Sequence, residues 1–225
     1  MVPKIVDHAA RRAEIAAAVW RIVGRAGVEA ATVRGVAAES GWSMGSVRHY
    51  FATQDDLLRF ACEEMEQRLV ARVRGHYAGL EAGAIAQGTP NPQRAIRMVE
   101  ELLPIDEGRR VEVLVWLAFM TRARVDPTLD EIRAASWVGE RYLARLAVAD
   151  ALGQPLPREL SDHLAPDLEP LAERVHLMID ALSLQGVTHP EHWPPQHLHR
   201  AVESLVGEIT SRRTPATPPS GRYSA

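Results

Sequence analysis

Apolar residues recur at helical spacing along nearly the whole chain, and no segment shows the apolar–polar alternation that is typical of a strand. One long stripe consists of Leu58, Cys62, Met65, Leu69 and Val73, which follow one another at intervals of three or four residues. Most Gly and Pro residues fall between such segments, where they end helices or form turns. The sequence therefore predicts an all-α protein.

Capping residues predict where the helices begin and end. A first helix is expected over 7–26, and Thr32, Ser43 and Thr53 are suitable N-caps for three further helices. Gly41 provides a tight turn between the second and third helices. Later helices are expected at 92–103, 106–125, 127–152, 168–187 and 195–211. The stretch 81–92 is expected to be a loop, and the tail 212–225 is too poor in apolar residues to pack.

Composition limits the class of protein. The chain has 225 residues, of which 46% are hydrophobic, and its longest apolar run, Val113 to Met120, is too short to cross a bilayer. The N-terminus lacks the apolar segment of a secretory signal, and Cys62 is a single cysteine that cannot form an internal disulfide. We therefore expect a soluble, cytoplasmic protein that needs no cofactor.

Charge is distributed unevenly along the chain. Residues 1–60 carry eight Lys and Arg against six Asp and Glu, a balance of +2, whereas the remainder carries −5. This asymmetry permits a polyanion-facing N-terminal module on an acidic body.

The segment from Thr32 to Leu58 has the pattern of a helix-turn-helix motif, in which a Gly-containing turn joins two short helices. We expect apolar residues of the first helix to pack on those of the second: Val33, Val36 and Ala37 on Val47, Tyr50 and Phe51. The opposite face of the second helix is small at Gly45 and Ser46 and carries donors at Arg48 and His49. Such a face fits a major groove about 12 Å wide.

Residues 10–60 resemble the DNA-binding signature of the tetracycline-repressor (TetR) family of bacterial transcription regulators. The resemblance rests on Thr32, on Ser40-Gly41-Trp42-Ser43, on Gly45-Ser46-Val47-Arg48-His49-Tyr50-Phe51 and on Gln54-Asp55-Asp56-Leu57. It implies DNA contacts by Thr32, Arg34, Ser43, Met44, Gly45, Ser46, Arg48, His49 and Tyr50. Arg48, Met44 and Gln54 depart from the family's usual tyrosine and two lysines, so we expect a lower DNA affinity and an operator that differs from those of relatives.

The back half resembles a C-terminal subgroup of that family, the choline-responsive betaine regulators, in the strings GRRVEVLVWLAFMTRARVDPTL and LMIDALSLQGVTHPEHWPP. The resemblance implies a helix-turn-helix domain over 1–52 and a larger helical effector-binding and dimerisation domain over 53–211. It also implies a homodimeric regulator, expected to be a repressor that a small organic molecule releases from double-stranded operator DNA.

Two sets of body residues are candidates for these roles. The dimer candidates are His176, Ile179, Asp180, Leu182, Leu198, Val202, Leu205 and Ile209, although their spacing fits an intrachain core equally well. The effector-pocket candidates are Met65, Met98, Trp116, Phe119, Met120, Trp137, Tyr142 and Met178, any of which can equally serve packing. Asp180, Arg122, Glu112 and His176 are candidate polar anchors, and for a cationic ligand we expect an inward acid beside Trp116.

Two motifs suggest other chemistry. Gly41-Trp42-Ser43-Met44-Gly45 matches the G-x-S-x-G nucleophile elbow, but the preceding residues are predicted to be helical instead of the required strand. The histidines His189, His192, His197 and His199 lie among prolines without a metal-binding spacing. We therefore expect neither an enzyme nor a metal site. A non-catalytic helical interaction protein and a regulator without an effector remain the alternatives.

Overall fold

The computed structural model describes residues 8–78 and 88–211. Those residues form nine α-helices, two short 3₁₀ helices and no strand, which confirms the all-α prediction. The α-helices are α1 (His8–Ala26), α2 (Val33–Ser40), α3 (Met44–Tyr50), α4 (Gln54–Tyr77), α5 (Pro92–Glu100), α6 (Glu107–Ala123), α7 (Asp130–Leu152), α8 (Glu169–Thr188) and α9 (Pro195–Ser211). None of them is long and apolar enough to span a membrane.

The predicted caps form as hydrogen bonds. The Thr32 hydroxyl accepts from the Gly35 amide at 3.0 Å, and the Ser43 hydroxyl accepts from the Ser46 amide at 3.0 Å. Thr53 and Asp56 form a reciprocal capping box at the start of α4. Each bond satisfies a backbone amide that lacks a partner within its helix, so these residues fix the starts of α2, α3 and α4.

The first core cluster joins the three N-terminal helices, α1–α3, to the start of α4 and to α6. We call α1–α3 the head and this cluster the head core. Val36 and Val47 are fully buried in it, and Phe51 packs its ring 4.8 Å from that of Phe60. The expected packing between α2 and α3 is confirmed, because Val33, Ala37 and Tyr50 belong to the same cluster. Gly41 ends α2 with a positive φ of 74°, a conformation that favours glycine.

The second core cluster lies between α5, α7, α8 and α9. We call helices α4–α9 the body and this cluster the body core. Leu198, Val202, Leu205 and Ile209 are buried there against other helices of the same chain, as are Ile179 and Leu182. Within one protomer these side chains therefore form an intrachain core. Their role in a dimer interface stays a prediction.

The ends of the body helices differ slightly from the sequence predictions. Helix α5 ends at Glu100, followed by turns that lead to the buried Pro104. A 3₁₀ helix, Pro127–Leu129, precedes α7, because Asp126 caps the turn by accepting from the Thr128 amide at 3.0 Å. The segment 153–168 is irregular. The predicted tail 212–225 and most of the predicted loop lie outside the described residues.

Candidate DNA-binding surface and effector cavity

Helix α3 presents one face to the head core and the other to solvent. Val47 is fully buried, whereas Met44, Gly45, Arg48 and His49 are exposed. The other predicted contact residues lie beside them: Thr32, Arg34 and Ser43 are exposed, and Ser46 and Tyr50 are half-buried. All nine residues are thus exposed or half-buried, and they belong to α2, to α3 or to the N-caps of these two helices.

Helices α2 and α3 each carry one exposed arginine, Arg34 and Arg48. Neither Arg34 nor Arg48 forms an ion pair with any residue in the described ranges. By contrast, Arg21 and Arg25 bind Glu39 at 2.8 Å and 2.9 Å and lower the pKa of its carboxyl group. Arg34 lies in the first turn of α2 and Arg48 in the last turn of α3, and free guanidinium groups at exposed positions suit contacts to phosphates and base edges.

Two neighbours shape this face. The ring of Tyr50 meets the ring of His49 edge-on, with centroids 5.3 Å apart, and supports its position. A β-carbon at Gly45 would find one described atom within 4 Å, the Ser43 hydroxyl oxygen at 3.9 Å. Packing within the head therefore does not require glycine at position 45. The small size of Gly45 instead affects how closely another molecule can approach α3.

Ser43 does not have the environment of a hydrolase nucleophile. It follows the helix α2 instead of a strand, and its hydroxyl caps α3 and lies 2.9 Å from the Ser46 hydroxyl. The G-x-S-x-G match is therefore a helix-capping sequence.

A cavity of about 820 Å³ lies between α4, α6, α7 and α8. Met65, Trp116 and Tyr142 line it, as do the candidate anchors Glu112 and Asp180. Most of its remaining wall is apolar and includes Leu69, Val73, Tyr77, Val113, Leu143, Leu146 and Ile179. A largely apolar chamber with a few polar groups is typical of small-molecule sites.

Five predicted pocket residues do not line this cavity. Met98 and Phe119 are buried in the body and head cores, and Met120 and Met178 pack at the edges of these cores. Trp137 points outward and is 53% exposed. Its ring nevertheless lies 5.7 Å from that of His176. A helical pattern shows that a face is apolar but not which neighbour covers it.

Sequence reasoning missed Tyr77 and Glu140. Tyr77 continues the stripe Leu69–Val73 by one further step of four residues, a signal that could have identified it. Its hydroxyl donates to Asp150 at 2.8 Å. Glu140 carries no comparable signal, because its role depends on contacts with residues distant in sequence.

Glu140 is the centre of a polar cluster in the cavity wall. Its Oε1 accepts hydrogen bonds from the Trp116 indole at 2.8 Å and the Ser136 hydroxyl at 3.0 Å. Its Oε2 lies 3.2 Å from Nε2 of the buried His176. The expected acid beside Trp116 is therefore present, although it is Glu140 that bonds the indole.

Asp180 completes this cluster. Its Oδ1 is buried and has no hydrogen-bond partner among the described residues. Burial, together with the negative charge of Glu140, raises the pKa of Asp180 to about 6. His176 and Asp180, which are candidates from the sequence both for the dimer interface and for polar anchors, lie beside Glu140.

Cations neutralise the acids at the other end of the cavity. Arg72 binds both oxygens of Glu112, at 2.9 Å and 2.6 Å, and also Glu101 at 2.6 Å. Arg109 and His76 add contacts to Glu101 at 3.0 Å and 2.8 Å. Burial opposes ionisation of Glu101, but these partners outweigh it and lower the pKa of its carboxyl group.

Helix α6 contacts both the cavity and the head. Glu112, Val113 and Trp116 line the cavity, whereas Val111 and Val115 are buried in the head core. A change in the cavity wall can therefore reach the head through one helix.

Comparisons with known proteins support these observations. Residues 91–211 match the family model described as the C-terminal domain of BetI-type transcriptional repressors, a TetR model. The chain is 30% identical over 218 residues to the HTH-type transcriptional regulator PksA of Bacillus subtilis (strain 168), covering 96% of this chain and 98% of that protein.

Solved structures have the same fold. A transcriptional regulator from Rhodococcus sp. Rha1 is 28% identical, with a TM-score of 0.69 over 89% of this chain and 96% of that one. A putative transcriptional regulator from Saccharomonospora viridis, solved in complex with choline, has a TM-score of 0.71 at 19% identity, covering 88% of this chain and 96% of that one. The chain therefore belongs to the TetR family of transcriptional regulators, with a C-terminal domain of the BetI type.

Proposed function

We propose that this regulator is a homodimeric repressor that binds operator DNA through α2 and α3 and releases it when a small organic molecule fills the cavity. In this proposal residues 1–52 bind DNA, and residues 53–211 bind the effector and form the dimer. The observation that supports it is that all nine predicted contact residues are exposed or half-buried on α2, α3 and their N-caps, and that Arg34 and Arg48 have no ion-pair partner among the described residues.

The cavity lining supports a neutral or positively charged effector over an anionic one. Six carboxylates line the wall against three arginines. Those of Glu101 and Glu112 are neutralised by Arg72 and Arg109, whereas Glu140 and Asp180 have no guanidinium partner in the described part of the chain. The choline bound to the Saccharomonospora viridis regulator has this charge. A mainly apolar molecule with no negative charge fits best.

Release is proposed to be a population shift. Helices α4 and α6 line the cavity and also pack in the head core. An effector that binds better to a conformation with displaced heads would change the spacing of the two α3 helices in the dimer. Two half-sites on DNA would then no longer be contacted together.

The proposed dimer surface is the exposed face of α8. Leu177 and Leu184 are 63% and 44% exposed, and the exposed Ala181 lies between them at helical spacing. Apolar side chains in such a row suit a two-fold helical interface with a second copy of the chain. We propose this face in addition to the interface residues that the sequence predicts, because its side chains are exposed in one protomer.

Small probes of matched size test the effector proposal. Hexylammonium and hexanol are expected to raise the melting temperature and to weaken operator binding at saturation, whereas hexanoate is not. The matched variant Gly139→Leu narrows the cavity, because Gly139 lines it and has open space around its β-position. It should fold, bind operator and respond more weakly to the probes. Operator binding unchanged by every probe, or a larger response to hexanoate, would refute the proposal.

An adaptor without DNA binding is the alternative function. Substituting Arg48 and His49 separates it from a regulator: the regulator loses its preference for operator over scrambled DNA, and an adaptor shows no such preference to lose. The capping role of Ser43 supports a non-enzymatic protein, since it accounts for the one nucleophile-like motif.

A further inference from the structure

Three potential metal ligands from two helices meet in the cavity wall. Glu140 comes from α7, and His176 and Asp180 occupy positions i and i+4 on one face of α8. One ligand atom from each of the three lies within 4.8 Å of the other two. The geometry points to a binding site for one divalent transition-metal ion of the Zn²⁺ class, held by Glu140, His176 and Asp180. The proposal goes beyond effector release, which needs no metal.

The distances suit coordination after a small adjustment. In a tetrahedral zinc site with bonds of about 2.1 Å, neighbouring ligand atoms lie about 3.4 Å apart. His176 Nε2 and Glu140 Oε2 are already 3.2 Å apart. The carboxylate of Asp180 lies within 4.8 Å of both other ligand atoms, so a side-chain rotation suffices to bring it to coordination distance.

Outer hydrogen bonds orient the central ligand. The Trp116 indole and the Ser136 hydroxyl both donate to Oε1 of Glu140, so that Oε2 faces His176. Metal-binding carboxylates are commonly oriented in this way by a second layer of donors. Glu140 and His176 are 8% and 3% exposed and lie on regular helices, so both ligands are held firmly.

The donor set selects the class of metal. One imidazole and two carboxylates fit Zn²⁺ and similar ions, whereas Mg²⁺ and Ca²⁺ require six or more oxygen ligands. Two carboxylates also balance the double positive charge of the ion. Because Glu140 and Asp180 line the cavity, a fourth coordination position would open towards it.

Zinc titration of the chelator-treated full-length protein tests the site. Calorimetry should show one ion per chain, with binding at least about 100-fold weaker in His176→Gln and Asp180→Asn. The matched control is His192→Gln, because His192 belongs to an exposed histidine pair that could bind zinc weakly at the surface. That variant should bind as the wild type does.

A second readout keeps the proposal testable if a variant fails to fold. Cobalt bound to the wild-type protein should give visible d–d absorption of a four- or five-coordinate site, which excess zinc removes. Absence of zinc binding, equal binding by the wild type and both ligand variants, or loss of binding in His192→Gln would overturn the proposal. Operator binding of the metal-free protein is measured in parallel. It shows whether the proposed regulator function holds even if the metal site does not.

Discussion

The Nη2 atom of Arg110 donates a hydrogen bond to the backbone oxygen of Gly24 at 2.9 Å. This bond joins α6, which lines the cavity, to α1, which supports the DNA-binding helices. Beside it, the side chain of Val111 packs directly against Gly24, leaving no room for a β-carbon. The contact between α1 and α6 is therefore close enough for a shift of α6 to displace the head.

Gly24→Ala tests this contact. An added β-carbon would lie 2.8 Å from Cγ2 of Val111, whose branched side chain is stiff and buried. We expect the free energy of unfolding to fall by about 1 kcal/mol despite the better helix propensity of alanine, and operator affinity to fall with it. Denaturant unfolding and fluorescence anisotropy measure the two effects.

Gly75→Ala is the matched control. Gly75 also lies in a helix, but nothing is within 4 Å of its β-position. It should gain about 0.5–1 kcal/mol in stability and keep its operator affinity. Equal behaviour of the two variants would contradict a tight contact at Gly24.

Arg48→Ala and His49→Ala should each weaken operator binding by about 1–3 kcal/mol and reduce sequence preference. Both side chains are exposed on α3. Arg25→Ala is the control, because this exposed arginine is paired with Glu39. Its affinity should change little. A larger loss in the control than in the α3 variants would place the DNA-binding surface elsewhere.

Glu101→Gln should destabilise the protein in a pH-dependent way. The lowered pKa of Glu101 means that its charged form is favoured by folding, so its contribution is present above the unfolded pKa of about 4.3. That contribution is lost as the pH falls through the lower folded pKa. At pH 7 the loss should be about 1–3 kcal/mol.

Urea unfolding of the wild type and Glu101→Gln from neutral to acid pH provides the measurement. The two curves should converge as the pH falls. A difference in stability that stays constant across the range would show that ionic contacts with Arg72 and Arg109 do not cause the effect.

Leu177→Asp should convert a dimer into monomers, because it places a charge in the exposed apolar row of α8. Val125→Asp is a suitable control, since Val125 is also exposed, at 68%, but lies just beyond the end of α6 and not on α8. Sedimentation velocity distinguishes the two states. Dissociation in neither variant, or in Val125→Asp alone, would refute the α8 interface.

Local signals predicted the head well. Thr32, Ser43 and Thr53 cap the helices they were expected to cap, because a side-chain oxygen satisfies amides only a few residues away. The packing of α2 on α3 also follows from spacing over a short stretch of chain.

The body was harder to predict, because its site depends on contacts between distant segments. The stripe of α9 fits either an intrachain core or a dimer interface, and only the structure shows that Leu198 and Val202 are buried within one chain. The bond from Trp116 to Glu140 joins residues 24 positions apart on different helices. The spacing of residues along the sequence does not predict such a contact.

Selection from a random library of DNA duplexes tests the central claim most directly. The purified protein should enrich a palindromic sequence and bind it far more tightly than scrambled DNA across a salt titration, and Arg48→Ala should lose that preference. Failure to enrich any sequence, with equal and steeply salt-dependent binding to all duplexes, would contradict operator binding by α3.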